Sequence, residues 1–188
     1  MTREMNENDA PTIIRYLRQF KPILENRLIT YNESYPWFSL HRQRDQTILE
    51  NDEKIVNSRR AKSNIFALET KHYYEQSDLM ITVIKPEFLD MYSTKYVLGV
   101  LNSKLYYVWL RNRGKVKGNM LEMYGAPLEE IPIKKPDIED MRLIEQEVES
   151  IITSKNNEDK HLAIIDSIVY KIYGLNNEEI KFVEDYHG

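Results

Sequence analysis

No cysteine occurs among the 188 residues, which excludes disulfides, a thiolate zinc site and a cysteine nucleophile. Glycine is scarce as well. The six glycines stand at 99, 114, 118, 125, 174 and 188, and no two have the spacing of a dinucleotide-binding fingerprint or a phosphate-binding P-loop. Long apolar runs are also missing: the stretch 79–84 is far too short to cross a bilayer, and the start MTREMNENDA lacks the apolar centre of a signal peptide. The expectation is a soluble, cytoplasmic protein. A chain of this length, as one domain with or without a satellite, buries roughly two-thirds of its unfolded surface.

Acid and base are nearly balanced overall, for a net charge of −4. The balance hides a division. Residues 1–135 hold 21 Lys and Arg against 17 Asp and Glu, whereas residues 136–188 hold 5 against 13. Two windows contain no acid at all: 95–121, with Lys95, Lys104, Arg111, Arg113, Lys115 and Lys117, and 54–68, with Lys54, Arg59, Arg60 and Lys62. Such asymmetry says more about partners than the net value does.

Along the chain, Asp9 or Ala10 followed by Pro11 marks a helix start, and Ile13, Ile14, Leu17, Phe20 and Leu24 recur at helical spacing. Pro22 predicts a kink or break near Lys21. Short β-branched and aromatic runs at 37–40, 54–57, 64–68 and 79–84 predict strands of a mostly antiparallel sheet, with Trp37 in the core. Ser93 or Thr94 is placed to cap a helix carrying Val97, Leu101, Leu105, Val108 and Trp109, locally broken at Asn102-Ser103. The segment 111–119 (RNRGKVKGN) reads as a basic loop, followed by strands near 120–124 and 130–133. After Pro136 the pattern is helical: one helix over 138–152, a second over 158–173 ended by Gly174, and a third capped by Asn176 or Asn177.

Candidate chemistry is thin. The four histidines (41, 72, 161 and 187) lack the i+3 or i+4 partners of a helical metal site. Asp166 with Glu179-Ile180-Lys181 has the letters of a metal-dependent nuclease, but on predicted helices rather than a sheet. There is no G-x-S-x-G, and no N/D-P-P-Y/F loop for methyl transfer to adenine, so no catalytic centre is expected in this chain. The basic windows remain. Phosphate contacts need Lys and Arg, and base reading needs Arg, Asn and Gln, all of which RNRGKVKGN and His41-Arg42-Gln43-Arg44 supply. Tyr73-Tyr74 and Tyr106-Tyr107 offer either rings for DNA or core area with a polar tip.

The run Tyr96-Val-Leu-Gly-Val-Leu-Asn-Ser-Lys-Leu105, then Trp109-Leu110, then a Gly-x-x-x-Gly loop and Pro127-Leu-Glu-Glu-Ile-Pro-Ile133, resembles the TaqI-like C-terminal specificity domain of adenine-specific DNA methyltransferases and type IIG restriction-modification enzymes. Further pieces agree in order: Pro11, Tyr16-Leu17, Leu24 and Arg27; Pro36-Trp37-Phe38 with Leu40-His41-Arg42 and Arg44; Lys54-Ile55-Val56; Asn64-Ile65-Phe66-Ala67; and Ile165-Asp166 through Tyr173-Gly174-Leu175 to Glu178-Glu179-Ile180. Specificity subunits of type I systems are a related recognition fold. The resemblance implies a target recognition domain that reads base pairs while an upstream domain binds S-adenosylmethionine and methylates a flipped adenine, with Mg as a further cofactor where the parent also cuts DNA. The chain is accordingly expected to be a fragment of such a parent.

The expected fold is α+β: a mixed, mainly antiparallel sheet with helices, followed by a small C-terminal helical part. The boundaries are 1–29 for junction helices, 30–135 for the β-rich recognition domain and 136–188 for the acidic helices. Expected partners are double-stranded DNA and the upstream methyltransferase domain, with no membrane. The expected DNA-binding residues are His41, Arg42, Gln43, Arg44, Arg59, Arg60, Lys62, Asn64, Arg111, Asn112, Arg113, Lys115, Lys117 and Asn119. Six phosphate contacts among them set a slope of log affinity on log salt near −5. The alternatives are a separate type I-like specificity subunit, an interaction module docking through its acidic helices, and a nuclease using Asp166, Glu179 and Lys181.

Overall fold

A computed structural model describes residues 3–41, 45–71, 78–154 and 156–187. The chain divides into two compact units, Met1–Gln46 and Thr47–Gly188.

The first unit is helical. After a 3-10 turn at Glu7–Asp9, helix α1 (Pro11–Leu17) begins on its proline, whose missing N–H would have had no intrahelical partner there. A second 3-10 turn, Arg18–Phe20, interrupts the path, and α2 (Lys21–Tyr31) restarts with Pro22 in its first turn, the break that proline demands. Ile14, Trp37 and Phe38 form the small core, with Leu17, Leu24 and Leu28 against it. Residues 37–40, expected as a strand, instead form a turn. Side chains fix this segment in place of a ladder: Trp37 Nε1 donates to Glu7 Oε1 at 3.0 Å, and Arg27 Nη2 donates to the Ser39 carbonyl at 2.8 Å. Trp37 is buried, though not on a strand.

From α3 (Gln46–Leu49) onward, the order is β1 (Lys54–Ser58), β2 (Arg60–Ala61), β3 (Phe66–Glu69), β4 (Leu79–Thr82), α4 (Thr94–Asn102), α5 (Lys104–Arg113), β5 (Lys115–Lys117), β6 (Met120–Glu122), α6 (Ala126–Glu129), α7 (Ile138–Ser154), α8 (Glu158–Tyr173) and α9 (Asn177–Glu184). This is the α+β arrangement expected, with the strands among the described residues in two three-stranded sheets, ordered β3-β1-β4 and β2-β6-β5. Every pairing among the described residues is antiparallel.

Helix α4 is the centre of the larger unit. Ser93 Oγ accepts the Tyr96 amide at 3.1 Å to start it, and Tyr96, Val97, Val100 and Leu101 are buried along it. Gly99 lets α7 come close: a Cβ there would stand 2.6 Å from Ile144 Cγ2. Ile55, Leu121, Met123, Ile144, Ile165 and Val169 complete a core to which both sheets and α7 and α8 contribute. The break expected at Asn102-Ser103 is present, and Asn102 has a second task. Its Oδ1 accepts the Phe66 amide at 2.9 Å and its Nδ2 donates to the Phe66 carbonyl at 3.0 Å, on the free edge of β3.

The last helices follow local signals. Gly174 ends α8 with φ +72°, a conformation that costs glycine little, and Asn176 opens α9 with a reciprocal capping box to Glu179. No strand forms at 130–133, where one was expected. Tyrosine hydroxyls satisfy this segment instead: Tyr106 donates to Pro132 O, Tyr92 to Ile133 O at 3.2 Å and Tyr96 to Lys134 O at 2.7 Å. Among the described residues, no helix is long and apolar enough to cross a membrane.

Candidate nucleic-acid interface

The expected contact residues gather mainly around the sheet β2-β6-β5. The chain passes from the first sheet to this one at Arg59, whose amide donates to Asp78 O at 2.8 Å and whose carbonyl accepts Met123 N at 2.9 Å. Arg59 is therefore anchored between both sheets. On the other side, α5 runs through Arg111 and Arg113 directly into β5, so the basic segment expected as a loop is a helix end, a strand and a tight turn. The turn is Gly118-Asn119, between the paired residues Lys117 and Met120, and Gly118 supplies the positive φ of 63° that a two-residue hairpin turn requires.

Alternation then divides the sheet into two faces. Ala61 and Leu121 pack on the core. Arg60, Lys115, Lys117, Met120 and Glu122 take the other face, with Glu122 opposite Arg60 on one side and Lys115 on the other. Glu122 is only 3% exposed, and its carboxylate is the hub of the face. Arg60 Nε donates to Oε1 at 3.0 Å, with Nη2 at 2.9 Å from the same oxygen; Lys115 Nζ lies 3.0 Å from Oε2, to which Tyr124 Oη also donates at 3.2 Å. Hydrogen bonds from Lys115 and then Arg60 hold the Glu122 carboxyl below the usual carboxylate range, against the opposing effect of burial. The same bonds raise the pKa values of Arg60 and Lys115.

Tyr124 joins this hub to Arg59, whose guanidinium carbon lies 4.0 Å from the ring centroid. Arg59 Nε is buried and has no hydrogen-bond partner among the described residues. Lys62, Arg113 and Lys117 are exposed. Arg111 reaches the Asn119 carbonyl at 3.5 Å, and Asn112 Nδ2 donates to Val108 O at 2.7 Å and Tyr186 Oη at 3.1 Å. Asn64 stands apart from the basic face. It is buried, and its Nδ2 donates to Leu101 O at 2.7 Å and Ser103 O at 2.9 Å, so it ties the loop before β3 to the end of α4.

His41 lies in the first unit, half-buried, with Nδ1 3.1 Å from Glu33 Oε2 and its carbonyl accepting Arg3 Nη2 at 3.0 Å. Arg42, Gln43 and Arg44 lie outside the described residues, as do Tyr73 and Tyr74. Tyr106 is core, and its hydroxyl is committed to Pro132. The nuclease letters do not assemble: Asp166 Oδ1 accepts the Lys104 amide at 2.8 Å, while Glu179 accepts Asn176 N at 2.8 Å. No group of three metal-ligating side chains occurs among the described residues. Glu122 and Tyr124 are not among the residues expected from the sequence, where their signal is an acid directly after the acid-free window 95–121, two residues from a tyrosine.

Residues 21–133, which include the whole of this sheet and its turn, match the sequence profile of the TaqI-like C-terminal specificity domain. The chain belongs to that family. Among curated proteins, this TaqI-like domain is similar to the type II methyltransferase M.HincII of Haemophilus influenzae, 26% identical over 145 residues that cover 71% of this chain and 28% of the relative. It is also similar to the type II methyltransferase M.HindII of Haemophilus influenzae strain Rd, 27% identical over 133 residues, 68% of this chain and 25% of the relative. The chain thus spans about a quarter of the length of the curated relatives it matches.

Proposed function

We propose that this TaqI-like domain binds double-stranded DNA and recognises its sequence on behalf of a DNA methyltransferase, with the sheet β2-β6-β5 and the end of α5 as the contact surface. One observation carries the reading: cations far apart in sequence, Arg59, Arg60 and Lys62 on one side and Arg111, Arg113, Lys115 and Lys117 on the other, are brought together by the pairing of β2 and β5 with the same central strand. Phosphates are the acceptors such a surface meets on a duplex, and arginine and asparagine are the side chains that read base edges. Asn119 at the hairpin turn and Arg59 on Tyr124 are the proposed base readers. The segment 41–44 is a separate proposed contact, on its composition alone.

The parent is proposed to be an S-adenosylmethionine-dependent, adenine-specific DNA methyltransferase of a restriction-modification system. Gly118, Gly125 and Gly174 all take positive φ, at the hairpin turn, ahead of α6 and at the end of α8, while Gly99 serves a helix crossing. Methyl transfer is assigned to the rest of the parent, together with any DNA cleavage.

The test is binding of the 188-residue chain to a random-sequence duplex over a range of salt. Phosphate contacts by Lys62, Arg111, Arg113 and Lys117, with up to two more from Arg42 and Arg44, give a slope of log affinity on log salt of about −4 to −5. A slope near zero overturns the reading.

A further inference from the structure

An acid at the centre of a DNA-facing sheet opposes the affinity of that sheet, because its charge repels the phosphates that the neighbouring cations attract. Glu122 nevertheless sits between Arg60 and Lys115 with its carboxylate almost wholly out of solvent. Four donor contacts fill its two oxygens. Arg60 and Lys115 are themselves 48% and 64% exposed, but the carboxylate they share is only 2% exposed, so giving either cation up to a phosphate leaves a buried charge short of donors.

We infer that Glu122 is a specificity-determining residue: it withholds Arg60 and Lys115 from non-specific phosphate binding and, through Tyr124, positions the guanidinium of Arg59 for a guanine edge. The inference rests on the DNA-binding reading above. Arg59 is the cation suited to this task. Its backbone bonds Asp78, next to β4, and Met123, next to β6, its guanidinium carbon lies 4.0 Å from the Tyr124 ring centroid, and no carboxylate pairs with it among the described residues. A planar fork held in one orientation matches O6 and N7 of guanine, whereas a mobile ammonium serves as a point charge for phosphate.

The strand β5 contains its own control. Lys115 and Lys117 lie two residues apart on one face, yet Lys115 is paired with Glu122 and Lys117 is paired with no carboxylate among the described residues. Binding of the full chain to a random-sequence duplex is therefore measured against salt for the wild type, Glu122→Gln, Lys115→Gln and Lys117→Gln, with far-ultraviolet circular dichroism to verify folding. Each released cation adds about 0.9 to the steepness of the slope. Glu122→Gln is expected to steepen it by up to about 1.8, to tighten binding to random duplex, and to enrich a less defined motif than the wild type does from a randomised duplex library. Lys117→Gln is expected to flatten the slope by about 0.9, and Lys115→Gln by less than half as much.

A folded Glu122→Gln protein whose slope is unchanged or flatter overturns the inference, and so does equality of the two lysine variants. If Glu122→Gln fails to fold, the lysine comparison decides. A wild-type slope near zero is a different failure, because it removes the DNA-binding reading itself.

Discussion

The carboxylate of Asp166, on α8, accepts the backbone amide of Lys104 at the start of α5, 62 residues earlier, at 2.8 Å. The first amides of a helix have no intrahelical partner. Ser103, which precedes α5, makes no side-chain cap and donates its Oγ to Val100 O instead. A residue from another helix thus caps α5, and the cap binds the C-terminal helices to the helix that leads into the basic hairpin.

This cap makes stability depend on pH. Burial pushes the Asp166 carboxyl up to about 6 from an ordinary 3.8, against the Lys104 amide and charge, which lower it, and Glu184 adds to the rise. A raised acid binds its proton more tightly when folded, so the contribution of Asp166 to stability falls as pH rises from about 4 to about 6 and is level above that. Asp166→Asn keeps an acceptor oxygen without the charge. Its stability relative to wild type, from denaturant unfolding at pH 4 and pH 7.5, should increase with pH by about 2 to 3 kcal/mol.

Asn64 gives a second expectation. Its two bonds to Leu101 O and Ser103 O are buried, and removing a donor there leaves carbonyls unsatisfied. Asn64→Ala should destabilise the chain by about 2 to 4 kcal/mol while leaving the salt slope of DNA binding intact. A changed slope in folded protein would show that Asn64 meets DNA directly.

At Gly99, alanine gains helix propensity of roughly 1 kcal/mol but drives a methyl against Ile144 Cγ2, a branched group with no free rotor to retreat on. Gly99→Ala should therefore be net destabilising by about 1 to 2 kcal/mol, measured by urea unfolding. Stabilisation would mean that α7 moves away without cost.

Arg59→Lys retains the charge and loses the planar fork. It should leave the salt slope within about 0.3 of wild type and reduce discrimination at one base pair by about 1 to 3 kcal/mol, read from library enrichment. A slope flattened by about 0.9 would instead assign Arg59 to a phosphate.

Much of the helical part was legible because its signals are local. The span of α8, the break at Asn102-Ser103, the stop at Gly174 and the cap at Asn176 each rest on residues within a few positions of one another. Strands β1 and β4 were legible from β-branched runs. The aromatic run at 37–40 misled because its rings face a helical core and side chains replace its ladder. The stretch 130–133 misled for a related reason: distant tyrosine hydroxyls satisfy its carbonyls, so it needs no neighbouring strand. At the basic face, composition named the cations but not their pairings. Glu122 controls Arg60 and Lys115 from across two strand pairings, and Asn64 faces inward, neither of which residue type alone discloses.

Asn102, finally, imitates a strand. With one amide group it accepts from and donates to the same residue, Phe66, as a paired strand would, and it does so on the outer edge of the sheet β3-β1-β4. An open edge invites a second molecule to add its own strand, which is how folded domains begin to aggregate. A side chain on α4 already occupies that position, so the domain is protected from edge-to-edge association where Ile65, just before β3, is 64% exposed. Self-association through that edge would first have to displace a helix-borne amide.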